Sequence, residues 1–188
     1  MPGHLRAFAT ATGDSFWTSV RTRSETAVSQ LQSSYAPNTG LLPDFVVNTN
    51  STPKPAPSNF LEGPYDGKYS WNACRDPWRL GADAITASGS AAVAQVRKMN
   101  TWIKSATGGD PAKIQSGYSL SGSKTENGRH PCFTAPFAVA AMTDPGSQAW
   151  LDKLWTAVSS WSPDSTDYYG TGITIQVLLI LSGNYVAA

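Results

Sequence analysis

The residues best able to do chemistry in this 188-residue sequence crowd into one stretch, NFLEGPYDGKYSWNACRDPWRLGADA, from Asn59 to Ala84. It holds a carboxylate at Glu62, rings at Phe60, Tyr65, Tyr69, Trp71 and Trp78, an amide at Asn72 and guanidinium groups at Arg75 and Arg79. A long loop is where a rigid scaffold usually presents binding and catalytic groups. Flat aromatic faces beside carboxylates would suit a sugar, and the same residues would suit a packed loop with ordinary aromatic anchors. Composition alone leaves both readings open.

The chain is long enough for one domain, residues 1–188, with a sizeable core, and length gives no reason to expect two. Charged residues make up 14% of it, against roughly 25% in an average soluble protein. Trp, Tyr, Gly, Ser and Thr are plentiful, a profile that leans toward a secreted or surface-exposed protein acting on polysaccharide. The net charge is +1 and no Lys/Arg cluster is interleaved with aromatics, so nucleic acid is a poor partner. Cys74 and Cys132 fit one disulfide or two buried thiols, and neither lies in a CxxC. His4 and His130 belong to no zinc motif and read as surface or loop histidines, so neither a metal nor another cofactor is expected. Met1-Pro2-Gly3-His4 leads into an amphipathic pattern without the basic and apolar regions of a signal peptide. The apolar run from Ile173 to Leu181 is far shorter than the roughly 20 residues of a membrane span and reads as a buried helix.

The elements that must position the opening stretch read as helices. Residues 2–12 and 15–35 form two, joined at Gly13-Asp14, with Asp14 or Ser15 capping the second. Trp17, Val20, Ser24, Ala27, Val28, Leu31 and Tyr35 recur at spacings of three and four and predict a core-facing stripe. The segment NTNSTPKPAPSN is Pro-rich and extended, a folded surface loop or a linker. Asp-Pro pairs at 76–77, 110–111 and 144–145 mark helix starts, because the Asp side chain accepts an orphan amide and Pro fits the first helical position. Helices are thus expected over 77–87, 90–107, 133–142, 145–160 and 166–181, with loop and one turn near Ala112 between 108 and 131. Strand-period alternation is scarce. The expectation is all-α, with about seven helices in antiparallel hairpins.

Several segments then resemble one family: MPGHLRAF, TGLLPDF, PAPSNFLEG, YSWNACRDPWRLGADA, VRKMNTWIKSATGGDPAKIQSGY, FTAPFAVAAM and AWLDKLWTAV look like glycoside hydrolase family 8, most specifically from Asn72 to Asp83. The resemblance implies an inverting glycosidase built as an (α/α)6 barrel of twelve helices, active on glucan, chitosan or xylan, with parent proteins that are secreted. It covers only the C-terminal half of the family pattern. The fold expected is therefore about half of the barrel, (α/α)3-like, with one side of its core uncovered. A homodimer covering that side is the leading expectation.

Inverting hydrolysis needs an acid to protonate the leaving oxygen and a base to activate water, about 6.5–9.5 Å apart. The commonest family pattern carries its base, an Asp, where this chain has Asn72. A second branch, including chitosanases, has Asn there and takes the base from a Glu on an upstream loop. By that resemblance Glu62 is the expected base, with Asn72 and Arg75 positioning water or sugar and Phe60, Tyr65, Tyr69, Trp71 and Trp78 binding substrate. The competing role for Glu62 is a loop cap or an arginine partner. The family's acid lies in a segment like SEGQGYGM, which has no counterpart here. Glu25 and Glu126 lie elsewhere, and Asp44, Asp66 or Asp76 are the acids considered, Asp76 reading first as a helix cap. Short oligosaccharides and loosened specificity would follow from a half cleft. A carbohydrate-binding module without turnover and an inactive fragment are the alternatives.

Overall fold

Segments bounded by Gly and Pro stops form seven α-helices among the described residues, 1–186, of the computed structural model. They are α1 (Pro2–Thr12), α2 (Ser15–Tyr35), α3 (Asp76–Thr86), α4 (Ala92–Ala106), α5 (Pro131–Met142), α6 (Gln148–Ser159) and α7 (Tyr168–Leu181). The only strands among the described residues are β1 (Val46–Val47) and β2 (Lys54–Pro55), paired antiparallel with Val46 opposite Pro55. The Pro-rich stretch is thus a folded loop. Arg23 holds it to α2 by donating to the carbonyls of Thr49 (2.8 Å) and Ser51 (2.6 Å). No described helix is long and apolar enough to cross a membrane.

The chain is built around α5. Every residue from Pro131 to Ala141 is buried, and the helix packs against α3, α4, α6 and α7. It starts two residues earlier than expected, so Pro136 lies inside it rather than in its first turn. Gly81 lets α3 come close: a Cβ there would sit 2.9 Å from Val139 Cγ1 and 3.1 Å from its carbonyl carbon. Val96, Met99, Ile103, Leu154 and Val177 complete the core at 0% exposure.

Coverage is uneven. The α2 stripe predicted to face a core is fully buried only at Leu31, and Tyr35 is exposed. On α1 only Pro2 is buried and Phe8 is 45% exposed, and Phe16 at the start of α2 is 58% exposed. On α7, Tyr168, Ile175 and Leu179 face solvent at spacings of seven and four. Helices α1, α2 and α7 thus carry apolar side chains that none of the described residues covers.

The Asp-Pro starts divide into two kinds. Asp110 accepts from the Ala112 amide (2.9 Å) and Asp144 from the Gly146 amide (3.0 Å), as their spacing predicts. Asp76 does not cap: Arg75 holds the N-cap position of α3, no side chain caps it, and Asp76 lies inside the helix. The cap reading of Asp76 is therefore corrected. A 3₁₀ turn over Ala73–Arg75 runs directly into α3 and the Asp76 amide donates to the Ala73 carbonyl, so Asp76 already has helical backbone instead of the extended one that a cap adopts.

Candidate functional site

The loop from Asn59 to Asn72 is pinned from inside by two aspartates. Asp66 accepts from the amides of Leu61 (2.6 Å), Glu62 (3.1 Å) and Gly63 (2.9 Å), which folds the FLEG turn around its carboxylate. Burial pushes its carboxyl up, but those amides overcome this and hold it below the usual carboxylate range. Asp44 accepts from the amides of Ser70 (2.9 Å) and Ala73 (2.7 Å) and so fixes the far end of the loop. Burial raises its carboxyl, opposed by the Ala73, Asn72 and Ser70 amides. Asp66, expected as a candidate proton donor, is buried, and its carboxylate is occupied by the amides of the turn that carries Glu62.

Between these anchors, three predicted residues form one relay. Arg75 Nη2 donates to Asn72 Oδ1 at 2.8 Å, and Arg75 Nε donates to the Asn72 carbonyl at 3.0 Å. With its oxygen facing the guanidinium, the Asn72 amide must turn its NH2 outward, and Nδ2 donates to Glu62 Oε2 at 2.7 Å. Glu62 is exposed and has Oε1 free of any hydrogen bond among the described residues.

The aromatic residues separate sharply. Trp71 is 39% exposed and stands edge-on against Phe133 (5.1 Å) and His130 (4.9 Å), with Nε1 donating to Glu126 Oε2 at 3.2 Å. Of the other rings expected to bind substrate, Tyr69 and Trp78 are 0% and 6% exposed. Tyr69 packs on Phe133 and Phe137, and its backbone bridges to Tyr118, so it anchors the loop to the core. Trp78 turns inward from α3 under the Arg79 guanidinium, 3.9 Å away. Tyr65 has Lys68 over its ring at 4.9 Å and donates to the Thr125 carbonyl at 3.3 Å, and Phe60 is exposed on the loop without lining the cleft.

Two hollows meet at Asn72. One, of about 360 Å³, is lined by Glu62, Trp71, Asn72, Asp167 and Tyr169. The other, of about 290 Å³, is lined by residues including Asp44, Asn72, Arg75, Asp76 and Arg79. In it Asp76 is partly buried and its carboxyl is pushed up to about 7, chiefly by burial and also by Asp44, against the pull of the amino terminus and Arg75. Asp167, Tyr169 and His130 were missed by sequence reasoning because they arrive from α7 and the start of α5, far along the chain. Tyr169 donates its hydroxyl to the Trp71 carbonyl. Beneath Trp71, Cys74 and Cys132 are both buried free thiols. The Cys74 thiol and burial push the Cys132 thiol far up, so it stays neutral. No group of metal ligands occurs among the described residues.

The sequence model of Glycosyl hydrolases family 8 matches residues 1–183. The chain belongs to glycoside hydrolase family 8. The beta-glucanase of Niallia circulans is 42% identical over 185 residues, covering 98% of this chain and 45% of that protein. The endoglucanase of Bacillus sp. (strain KSM-330) is 34% identical, with 98% and 39% covered. The apo structure of a beta-1,3-1,4-glucanase from Paenibacillus sp. X4 superposes with a TM-score of 0.95 at 41% identity, over all of this chain and 49% of that one. A family 8 xylobiose complex from Teredinibacter turnerae, at 22% identity and a TM-score of 0.78, shares the fold. The chain thus spans about half the length of the family 8 proteins it matches. Its seven helices are an all-α, (α/α)3-like portion of the (α/α)6 architecture, as the resemblance implied.

Proposed function

We propose that this chain carries the water-activating half of a family 8 glycosidase acting on glucan-type polysaccharide, with Glu62 as the general base. The observation that supports this most is the Arg75–Asn72–Glu62 relay beside the exposed Trp71. Arg75 orients Asn72, Asn72 holds Glu62 Oε2, and Oε1 is left to take a proton from water. A base needs that arrangement, because the carboxylate must be fixed and ionised while one oxygen stays accessible. An asparagine cannot itself accept the proton, so its place in the relay is to position. Trp71 offers a sugar-sized apolar face next to that oxygen. The glucanase names of the relatives favour mixed-linkage β-glucan over chitosan and xylan as substrate, and a secreted location accords with a polymeric substrate.

The proton donor is the second half of the problem. Asp44 and Asp66 are both tied to backbone amides, whereas Asp76 retains its proton close to neutrality and faces the adjoining hollow. Turnover by the chain alone would therefore depend on Asp76. The amide-bound state of the other two also supports a second reading, a carbohydrate-binding half-barrel without turnover. Reducing-end release from β-glucan, chitosan and xylan by the parent, Glu62→Gln and Asp76→Asn decides. Loss in both variants supports the enzyme with its acid in this chain. Saturable oligosaccharide binding without release supports the second reading, and release that survives Glu62→Gln unchanged overturns Glu62 as base. The uncovered apolar faces of α1, α2 and α7 further support a homodimer in which each copy covers the other's open side.

A further inference from the structure

The side of the pocket opposite Asn72 carries a second carboxylate, Asp167, whose setting exceeds what a helix cap needs. Asp167 caps α7, with Oδ1 accepting from the Gly170 amide at 2.8 Å. Its other oxygen, Oδ2, lies 3.0 Å from His130 Nε2. The Cys132 amide donates to His130 Nδ1 at 3.4 Å, so that nitrogen is the acceptor and the proton sits on Nε2, pointing at Asp167. The same imidazole meets the Trp71 ring edge-on. Gly170 makes the pairing possible: a Cβ there would run into Asp167 Oδ2 and come within 2.6 Å of His130 Cε1. Two elements and one obligatory glycine thus converge to hold one partly exposed carboxylate beside Trp71 and Tyr169, in the pocket that Glu62 lines.

We propose that Asp167 is a sugar-binding, specificity-determining residue that accepts hydrogen bonds from hydroxyls of the glucan unit seated on Trp71, and that His130 is the positioning residue that aims it. This rests on the reading of the pocket as a sugar site. Each Asp167 oxygen uses one lone pair on the protein and keeps another for ligand. A charged acceptor fixed on both oxygens discriminates hydroxyl placement, because a misplaced hydroxyl leaves it desolvated and unpaired.

Calorimetric titration with cellotetraose tests this in parent, Asp167→Asn and Asp167→Ser, with thermal unfolding measured alongside. Asn and Ser both cap helices well, so Tm stays at the parent's value while Kd rises about tenfold, the loss expected for one charge-assisted hydrogen bond. His130→Gln, which retains a donor, stays near the parent, and His130→Ala weakens binding several-fold. Unchanged Kd in both Asp167 variants, or a fall in Tm without a change in Kd, overturns the proposal. If that occurs while Trp71→Ala abolishes binding, the sugar site stands and only the role of Asp167 falls. No binding by the parent overturns both.

Discussion

Asn72 stands at the junction of everything the site residues do. It takes the Arg75 guanidinium on one side, gives its amide protons to Glu62 on the other, and separates the hollow around Trp71 from the hollow around Asp76. Glu62, Asn72 and Arg75 were picked out together because the family resemblance falls most specifically on their stretch, whereas the hydrogen bonds that join them appear only in the folded chain. The fate of the aromatic rings was not legible. Tyr69 is committed to the core by a backbone bridge to Tyr118, a pairing far along the chain that no local pattern announces. Asp76 gives a pH dependence with a definite sign. Its carboxyl titrates at about 7 in the folded chain and at about 4 in an unfolded one, so the folded state holds an extra proton between those values. Stability therefore falls as pH rises through that window, and Asp44, also raised, adds in the same sense. Thermal unfolding measured from about pH 5 to about pH 8 is expected to show Tm declining with pH, and declining less in Asp76→Asn. A variant whose slope equals the parent's would remove Asp76 as the source.

Among the elements, the α3–α5 contact decides where the relay sits, because Asn72 and Arg75 lie on the turn that leads into α3 while Trp71 leans on Phe133 of α5. The two helices approach through Gly81, whose hydrogen occupies space that Val139 would otherwise contest. Gly81→Ala is accordingly expected to lower stability by about 1–3 kcal/mol, the usual cost of overpacking, and to reduce binding at Trp71 as α3 shifts. Urea unfolding with an unchanged midpoint would contradict that. Helix existence was readable throughout, since apolar residues at spacings of three and four and Asp-Pro starts are local signals. Boundaries moved where a neighbouring turn took over the cap, as at Asp76, and where α5 extended back to Pro131 because His130 accepts from the Cys132 amide. The far side of the hollow beside Trp71 escaped sequence reasoning for a related reason. Asp167 and His130 meet through a glycine, and a glycine's reason for being there is visible only once its neighbours are known.

At the scale of the whole molecule, one finding governs the rest: helices α1, α2 and α7 carry exposed apolar side chains. Phe8, Phe16 and Tyr35 are exposed on α1 and α2 and Tyr168, Ile175 and Leu179 on α7, and the chain spans about half the length of its relatives. The α2 stripe was legible as an apolar face, but the sequence pattern cannot say whether the chain itself supplies what covers it. Exposed apolar surface of this extent favours association, and light scattering at micromolar concentration is expected to give twice the mass of 20.0 kDa. A strictly monomeric mass would contradict the homodimer without touching the site. The site itself is tested most directly by the rate of reducing-end release from mixed-linkage β-glucan by the parent chain and by Glu62→Gln. Removal of a general base predicts a loss of about a hundredfold or more in the variant, and a variant as fast as its parent would contradict Glu62 as the residue that activates water.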